Sequence, residues 1–206
     1  MSDITNTADS GFMKFPKMAR LSRECIITEK IDGTNAQICI TDDGKMLIGS
    51  RTRWITPTDD NYGFAAWATE HRDELLQLGV GRHYGEWWGQ GIQRKYGMTE
   101  KRFSLFNVTR WCLHNEEPKQ IPTGDPRVVK MQSQLPTCCS IVPVLYRGIF
   151  TTEACELALN NLRLNGSKAA PGFMNPEGIV CYHVASGVAL KKTLHKDEAP
   201  KSTQST

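Results

Sequence analysis

An apolar run, Cys25-Ile26-Ile27, ends in the octapeptide Thr28-Glu29-Lys30-Ile31-Asp32-Gly33-Thr34-Asn35, and the alternating run Ala36-Gln37-Ile38-Cys39-Ile40 leaves it. The stretch reads as a loop between two strands, and it constrains the rest of the chain to a sheet-based fold. A lysine two residues before Asp-Gly at the mouth of a sheet suits a covalent nucleophile. Its amine attacks only when neutral, a state that burial or a neighbouring cation favours. Asp32 can hold a metal ion, and Gly33 lets the backbone approach a phosphate closely. The same octapeptide also fits an ordinary Asp-Gly turn carrying a solvated lysine, so its surroundings must decide.

The surroundings are those of an ordinary globular chain. The 206 residues are 39% hydrophobic and 23% charged, enough for one domain with a real core. A net charge of +3 spreads no global field, so any nucleic-acid site must be a local patch. Apolar runs fall far short of a membrane span, and residues 1–10 lack an apolar signal core. Seven cysteines, an odd number with no Cys-x-x-Cys spacing, read as reduced core residues of a cytoplasmic protein. The adjacent pair Cys138-Cys139 has no explanation at this level.

Along the chain, residues 22–28 and 36–41 are expected strands. Asp42-Asp43-Gly44-Lys45 is a turn, and residues 46–50 return as the hairpin partner. Arg51 and Arg53 follow at a strand end, where arginines can grip phosphate bidentately or simply form a surface pair. From Gly63 the spacing of Phe64, Trp67, Ala68, His71, Leu75 and Leu78 predicts one helix ended by Gly79. His83 to Ile92 holds Glu86 between glycine and two tryptophans. An acid in that setting needs a partner, such as a ribose hydroxyl or a metal-bound water, unless it simply faces water. Arg94 and Lys95 lie in a basic, aromatic-tipped loop suited to a nucleic-acid backbone.

Residues 102–108 and 141–146 are further strands, separated by an irregular connection at 113–137 that holds four prolines. A helix capped by Thr151 or Thr152 runs to Asn165-Gly166. A final hairpin delivers Glu177 at its start and Lys191-Lys192 near its end. Residues 196–206 read as a disordered polar tail. The expected class is α+β, antiparallel sheets with flanking helices and a nucleotide cleft between them.

Taken in order, Lys-x-Asp-Gly, Ser50-Arg51-Thr52, Gly85-Glu86, Phe106-Asn107, Pro176-Glu177-Gly178 and the Leu190-Lys191-Lys192 strand resemble the covalent nucleotidyltransferases, the superfamily of polynucleotide ligases and capping enzymes. The Gly33-Thr34-Asn35 continuation and Gly89-Gln90-Gly91-Ile92-Gln93 are most similar to the type 2 ATP-dependent RNA ligases. The likeness covers roughly residues 20–196, and six blocks in order make it specific.

The resemblance implies that Lys30 attacks the α-phosphorus of ATP and carries AMP. It further implies that Glu29 and Asn35 lie beside the nucleotide and that Arg51 contacts ribose or the phosphate of an RNA end. Glu86 would hold the ribose, Phe106 would stack on adenine, Lys191 and Lys192 would serve the phosphates, and Asp32 and Glu177 would orient the water shell of Mg²⁺ or Mn²⁺. Arg53, Arg94 and Lys95 are the expected nucleic-acid contacts. The implied reaction joins RNA ends bearing a 5′-phosphate and a 3′-hydroxyl. The alternatives are a DNA ligase or other lysine-adenylating nucleotidyltransferase, a capping guanylyltransferase, and, in another class, an inactive nucleic-acid-end-binding protein.

The chain departs from the pattern at Phe106-Asn107, where Phe-Asp is usual, and at Lys191-Lys192-Thr193, where some relatives have Lys-x-Lys. Residues 1–195 are expected to form the adenylation domain, with no OB or RNA-binding domain after it. RNA grip would then come from the chain's own surface or from a separate RNA-binding protein in place of that domain.

Overall fold

The computed structural model describes residue 15 and residues 17–112 and 135–195. The polar termini, and all but the last residues of the proline-rich connection, lie outside them. Two sheets build the molecule. The first has the order β7-β1-β8-β9 and is antiparallel throughout: β1 (Glu24–Lys30), β7 (Val144–Ile149), β8 (Gly178–His183) and β9 (Val188–Thr193). The second has the order β3-β2-β4-β5-β6, made of β2 (Thr34–Ile40), β3 (Met46–Ser50), β4 (Gly81–Gly89), β5 (Lys101–Leu105) and β6 (Cys139–Ile141). It is antiparallel except where β5 pairs with β6.

Alternation along the strands sorts three cores. The outer face of the five-stranded sheet, with Ile38, Trp87, Phe103 and Leu105, packs on α1 (Phe64–Glu70) and α2 (Arg72–Leu75). Phe64 sits 4.9 Å from Phe103, and Trp67 4.9 Å from Trp87, ring centre to ring centre. The outer face of the four-stranded sheet, with Cys25, Ile27, Ile179 and Cys181, packs on α3 (Thr152–Asn165). Thr151 caps α3 by accepting the N–H of Ala154 at 3.1 Å. The inner faces meet through Ile26, Ile31, Trp88, Tyr96, Val108 and Val142.

Two elements differ from the expectation. The helical stripe after Gly63 is broken at His71 (φ −92°, ψ 20°), where the side chain turns to Glu74 at 3.0 Å. The strand expected at 141–146 is two strands in different sheets, divided at Val142-Pro143. Proline has no N–H to give a ladder, but the Pro143 carbonyl accepts from Glu29 N at 2.9 Å and Val142 N donates to Leu105 O at 3.0 Å. This dipeptide therefore carries the chain from one sheet to the other beside the Lys30 loop. All seven cysteines are free thiols; Cys138 and Cys139, 3.9 Å apart, pack against the aromatic core.

His83 on β4 is fully buried with Nε2 2.8 Å from Gly79 O. Burial pushes it down to about 4 from 6.5; the Gly79 bond opposes that shift and the charge of Arg110 adds to it. The unfolded chain therefore takes up this proton first as pH falls. Stability from this site is complete above pH 6.5 and declines by up to about 3 kcal/mol on the way to pH 4. Denaturant midpoints measured across that range should fall more steeply for the parent chain than for a His83→Gln variant.

Candidate active site between the two sheets

Lys30 ends β1, directly opposite Gly178 of β8. Gly178 has φ +154°, and a Cβ there would lie 2.2 Å from Lys192 O, so only glycine lets β9 close against this point. The adjoining Glu177 is nearly buried, and its Oε2 accepts from Lys30 Nζ at 2.7 Å. In β1, Thr28 and Lys30 share a face. Val180 pairs with both Thr28 and Lys191, so Lys191 is on that face too. One residue along β9, Lys192 lies on the opposite face and forms an ion pair with Glu156 of α3.

The second sheet supplies the facing wall. Glu86 on β4 pairs with Asn35 on β2. Its carboxylate accepts from Gly33 N at 3.0 Å and from the Asn35 side-chain amide at 3.0 Å. A Cβ on Gly33 would be 2.4 Å from Trp87 O, which explains why this loop needs glycine to lie so close to β4. Phe106, just beyond β5, is half-buried against the core between the sheets. Arg51 lies in the exposed bend after β3.

Asp32 is fixed from two sides. Its N–H donates to Tyr96 Oη at 2.8 Å and its carboxylate accepts from Arg94 Nε at 3.0 Å. Arg94 also donates to Asn175, through the backbone carbonyl at 3.1 Å and Oδ1 at 2.9 Å. Arg94 is thus turned inward, toward Asp32 and Asn175. Tyr96 is buried against Trp88 and Phe173, and its phenol is pushed above its ordinary value chiefly by that burial. Lys95 is exposed, and Arg53 forms an ion pair with Asp59.

Glu29 faces away from Lys30. Its buried carboxylate accepts from Ser167 Oγ at 2.5 Å, Lys168 N at 2.8 Å and Ala169 N at 3.0 Å. Burial pushes its pKa up, and those three bonds oppose the shift. The fold therefore gathers Lys30, Asp32, Asn35, Glu86, Phe106, Glu177 and Lys191 around the inter-sheet space. It directs Glu29 and Lys192 toward the α3 side.

A profile of the RNA ligase family matches residues 23–194. The chain belongs to the RNA ligase family.

Solved structures resemble this RNA ligase family member at the level of fold. A Naegleria gruberi RNA ligase variant with ATP and manganese has a TM-score of 0.53 at 18% identity over 85% of this chain and 51% of that one. A second variant of that enzyme, also with ATP and manganese, has 0.56 at 19% identity with the same coverage. The form with pyrophosphate has 0.52 at 17% identity over 84% and 50%. The chain thus spans about half the length of these solved relatives. No curated protein sequence matched it.

Several residues that build this arrangement carry no signal in the sequence. Tyr96, Asn175 and the segment Ser167 to Ala169 position Asp32, Arg94 and Glu29 across long sequence separations. They became visible only once the sheets were assembled.

Proposed function

We propose that this chain is the adenylation domain of an ATP-dependent RNA ligase, spanning residues 1–195. Its proposed reaction is to take AMP onto Lys30, pass it to a 5′-phosphate and join that end to a 3′-hydroxyl. The observation that carries the reading is the Lys30–Glu177 contact inside a family fold. It fixes the amine at a strand end, 2.7 Å from the carboxylate that orients it. A divalent ion bound nearby would favour the neutral form that attacks, its proton passing to solvent. The neutral amine attacks the α-phosphorus; the Nζ–P bond forms as the α–β P–O bond breaks, and pyrophosphate leaves. Lys191, on the same face, offsets charge on the phosphate oxygens.

Glu86, oriented by Gly33 and Asn35, is the acceptor for ribose hydroxyls, and Phe106 offers a ring to adenine. Arg51 stands ready for the phosphate of the incoming end. Mg²⁺ or Mn²⁺ fits the donors present, because such ions need only one or two carboxylates and keep several waters. Asp32 and Glu177 would hold that water shell, and the ion when bound neutralises phosphate oxygens. Among the described residues no helix is long and apolar enough to cross a membrane. We place the reaction in the cytoplasm, with RNA ends as substrates and a separate RNA-binding protein as helper.

The reading is tested by incubating the purified chain with Mg²⁺ and α-labelled ATP or GTP, followed by a denaturing gel and intact mass. One AMP per chain, acid-labile and formed with ATP alone, is the expected result. A GMP adduct would move the reaction to capping chemistry, and absence of any adduct in folded protein would sink the assignment.

A further inference from the structure

On the wall that carries Glu86, the strand pairing continues outward in a regular series: Asn35 opposite Glu86, Gln37 opposite Tyr84, Cys39 opposite Arg82. A two-residue period keeps Tyr84 and Arg82 on the face of Glu86, while His83 and Trp87 turn into the core. At the inner end this face is closed by the four-stranded sheet, which packs against Trp88. At the outer end Tyr84 remains 40% exposed and Trp54, bridged to Gly49 of β3, 46% exposed.

These rings do not belong to any of the three cores. They are joined by a cation: the Arg82 guanidinium stands 5.5 Å from the Trp54 ring centre, and its Nη1 donates to Gln37 Oε1 at 3.3 Å. Gln37 in turn lies over Gly49, where a Cβ would meet its side chain at 2.8 Å. Side-chain packing along β2, β3 and β4 thus holds the strip in place, and among the described residues no helix covers it.

We propose that Trp54, Arg82 and Tyr84 form a stacking platform for single-stranded RNA running outward from the Lys30 cleft. The inference rests on the ligase reading above. Exposed aromatic faces interleaved with a guanidinium suit unstacked bases and the phosphates between them, with little demand on sequence. Continuity decides the occupant. The inner end of the strip abuts the Asn35–Glu86 pair, so a strand whose terminus reacts at Lys30 has its neighbouring nucleotides over Tyr84 and then Trp54. The platform would give this chain a grip on RNA from the sheet that carries Glu86.

The test uses the full chain with a fluorescein-labelled, 5′-phosphorylated oligoribonucleotide that has no self-complementarity. Anisotropy gives its affinity for the parent, Trp54→Ala, Tyr84→Ala and Trp54→Phe, and AMP-adduct yield with ATP is measured in parallel. Both alanine variants change exposed side chains, and thermal melting verifies that each is folded. Stacking predicts a loss of about 5- to 100-fold in affinity for each alanine variant, recovery in Trp54→Phe, and adduct yield close to the parent. Unchanged affinity in folded alanine variants that still form adduct would overturn the platform. Lost affinity in a chain that never forms adduct would keep the platform and remove the ligase reading, so the two fail separately.

Discussion

Lys30→Ala should form no AMP adduct, a loss of at least about 10³-fold, because no other group can take the place of the attacking nitrogen. Alanine also removes the ammonium 2.7 Å from the Glu177 carboxylate, at a cost of about 1–3 kcal/mol. An inert alanine variant is therefore open to a trivial explanation. Lys30→Arg separates the two effects. A guanidinium keeps a positive charge beside Glu177 but does not give up its proton at ordinary pH. The arginine variant should melt close to the parent and still form no adduct with α-labelled ATP. Labelling of either folded variant would remove Lys30 from the role of nucleophile.

The second large effect falls on stability. Glu29→Ala takes away the acceptor for one hydroxyl and two backbone N–H groups at the turn after α3. Each donor left in a buried setting costs about 1–3 kcal/mol, and relaxation recovers part of the total. A net loss of about 2–4 kcal/mol lowers the melting temperature by about 5–15 °C in a chain of this size. A scan of parent and variant checks it, and equal melting temperatures would contradict the structural role. The neighbouring positions 29 and 30 thus contribute different things, one holding the turn after α3 and the other facing the reaction.

That division shows what the sequence could convey. The strands around Lys30 and the hairpin carrying Glu177 and Lys191 were readable, because period-two apolar spacing, Asp-Gly and Ser-Gly turns and motif order are all local signals. The direction of Glu29 was not. It depends on Ser167, Lys168 and Ala169, more than a hundred residues away, and motif kinship alone set it beside the nucleotide. Arg94 and Lys95 read as one exposed basic loop because composition reports charge without orientation. Asp32 and Asn175 draw Arg94 inward and leave Lys95 outside. Motif order groups Lys191 and Lys192 as nucleotide contacts, but alternation divides them between two faces of β9. The split at Val142-Pro143 was concealed because an apolar run looks the same whether it serves one sheet or two.

The separation of Lys191 from Lys192 has a consequence for how such a chain tolerates change. The two lysines are chemically alike, and only the phase of β9 against β8 tells them apart. The turn at residues 184–187 sets that phase, and the close approach at Gly178 fixes it. An inserted or deleted residue in the turn would exchange the two side chains between cleft and helix while leaving composition and nearly every local preference intact. In this hairpin the length of the loop, rather than the identity of its residues, encodes which lysine faces the reaction.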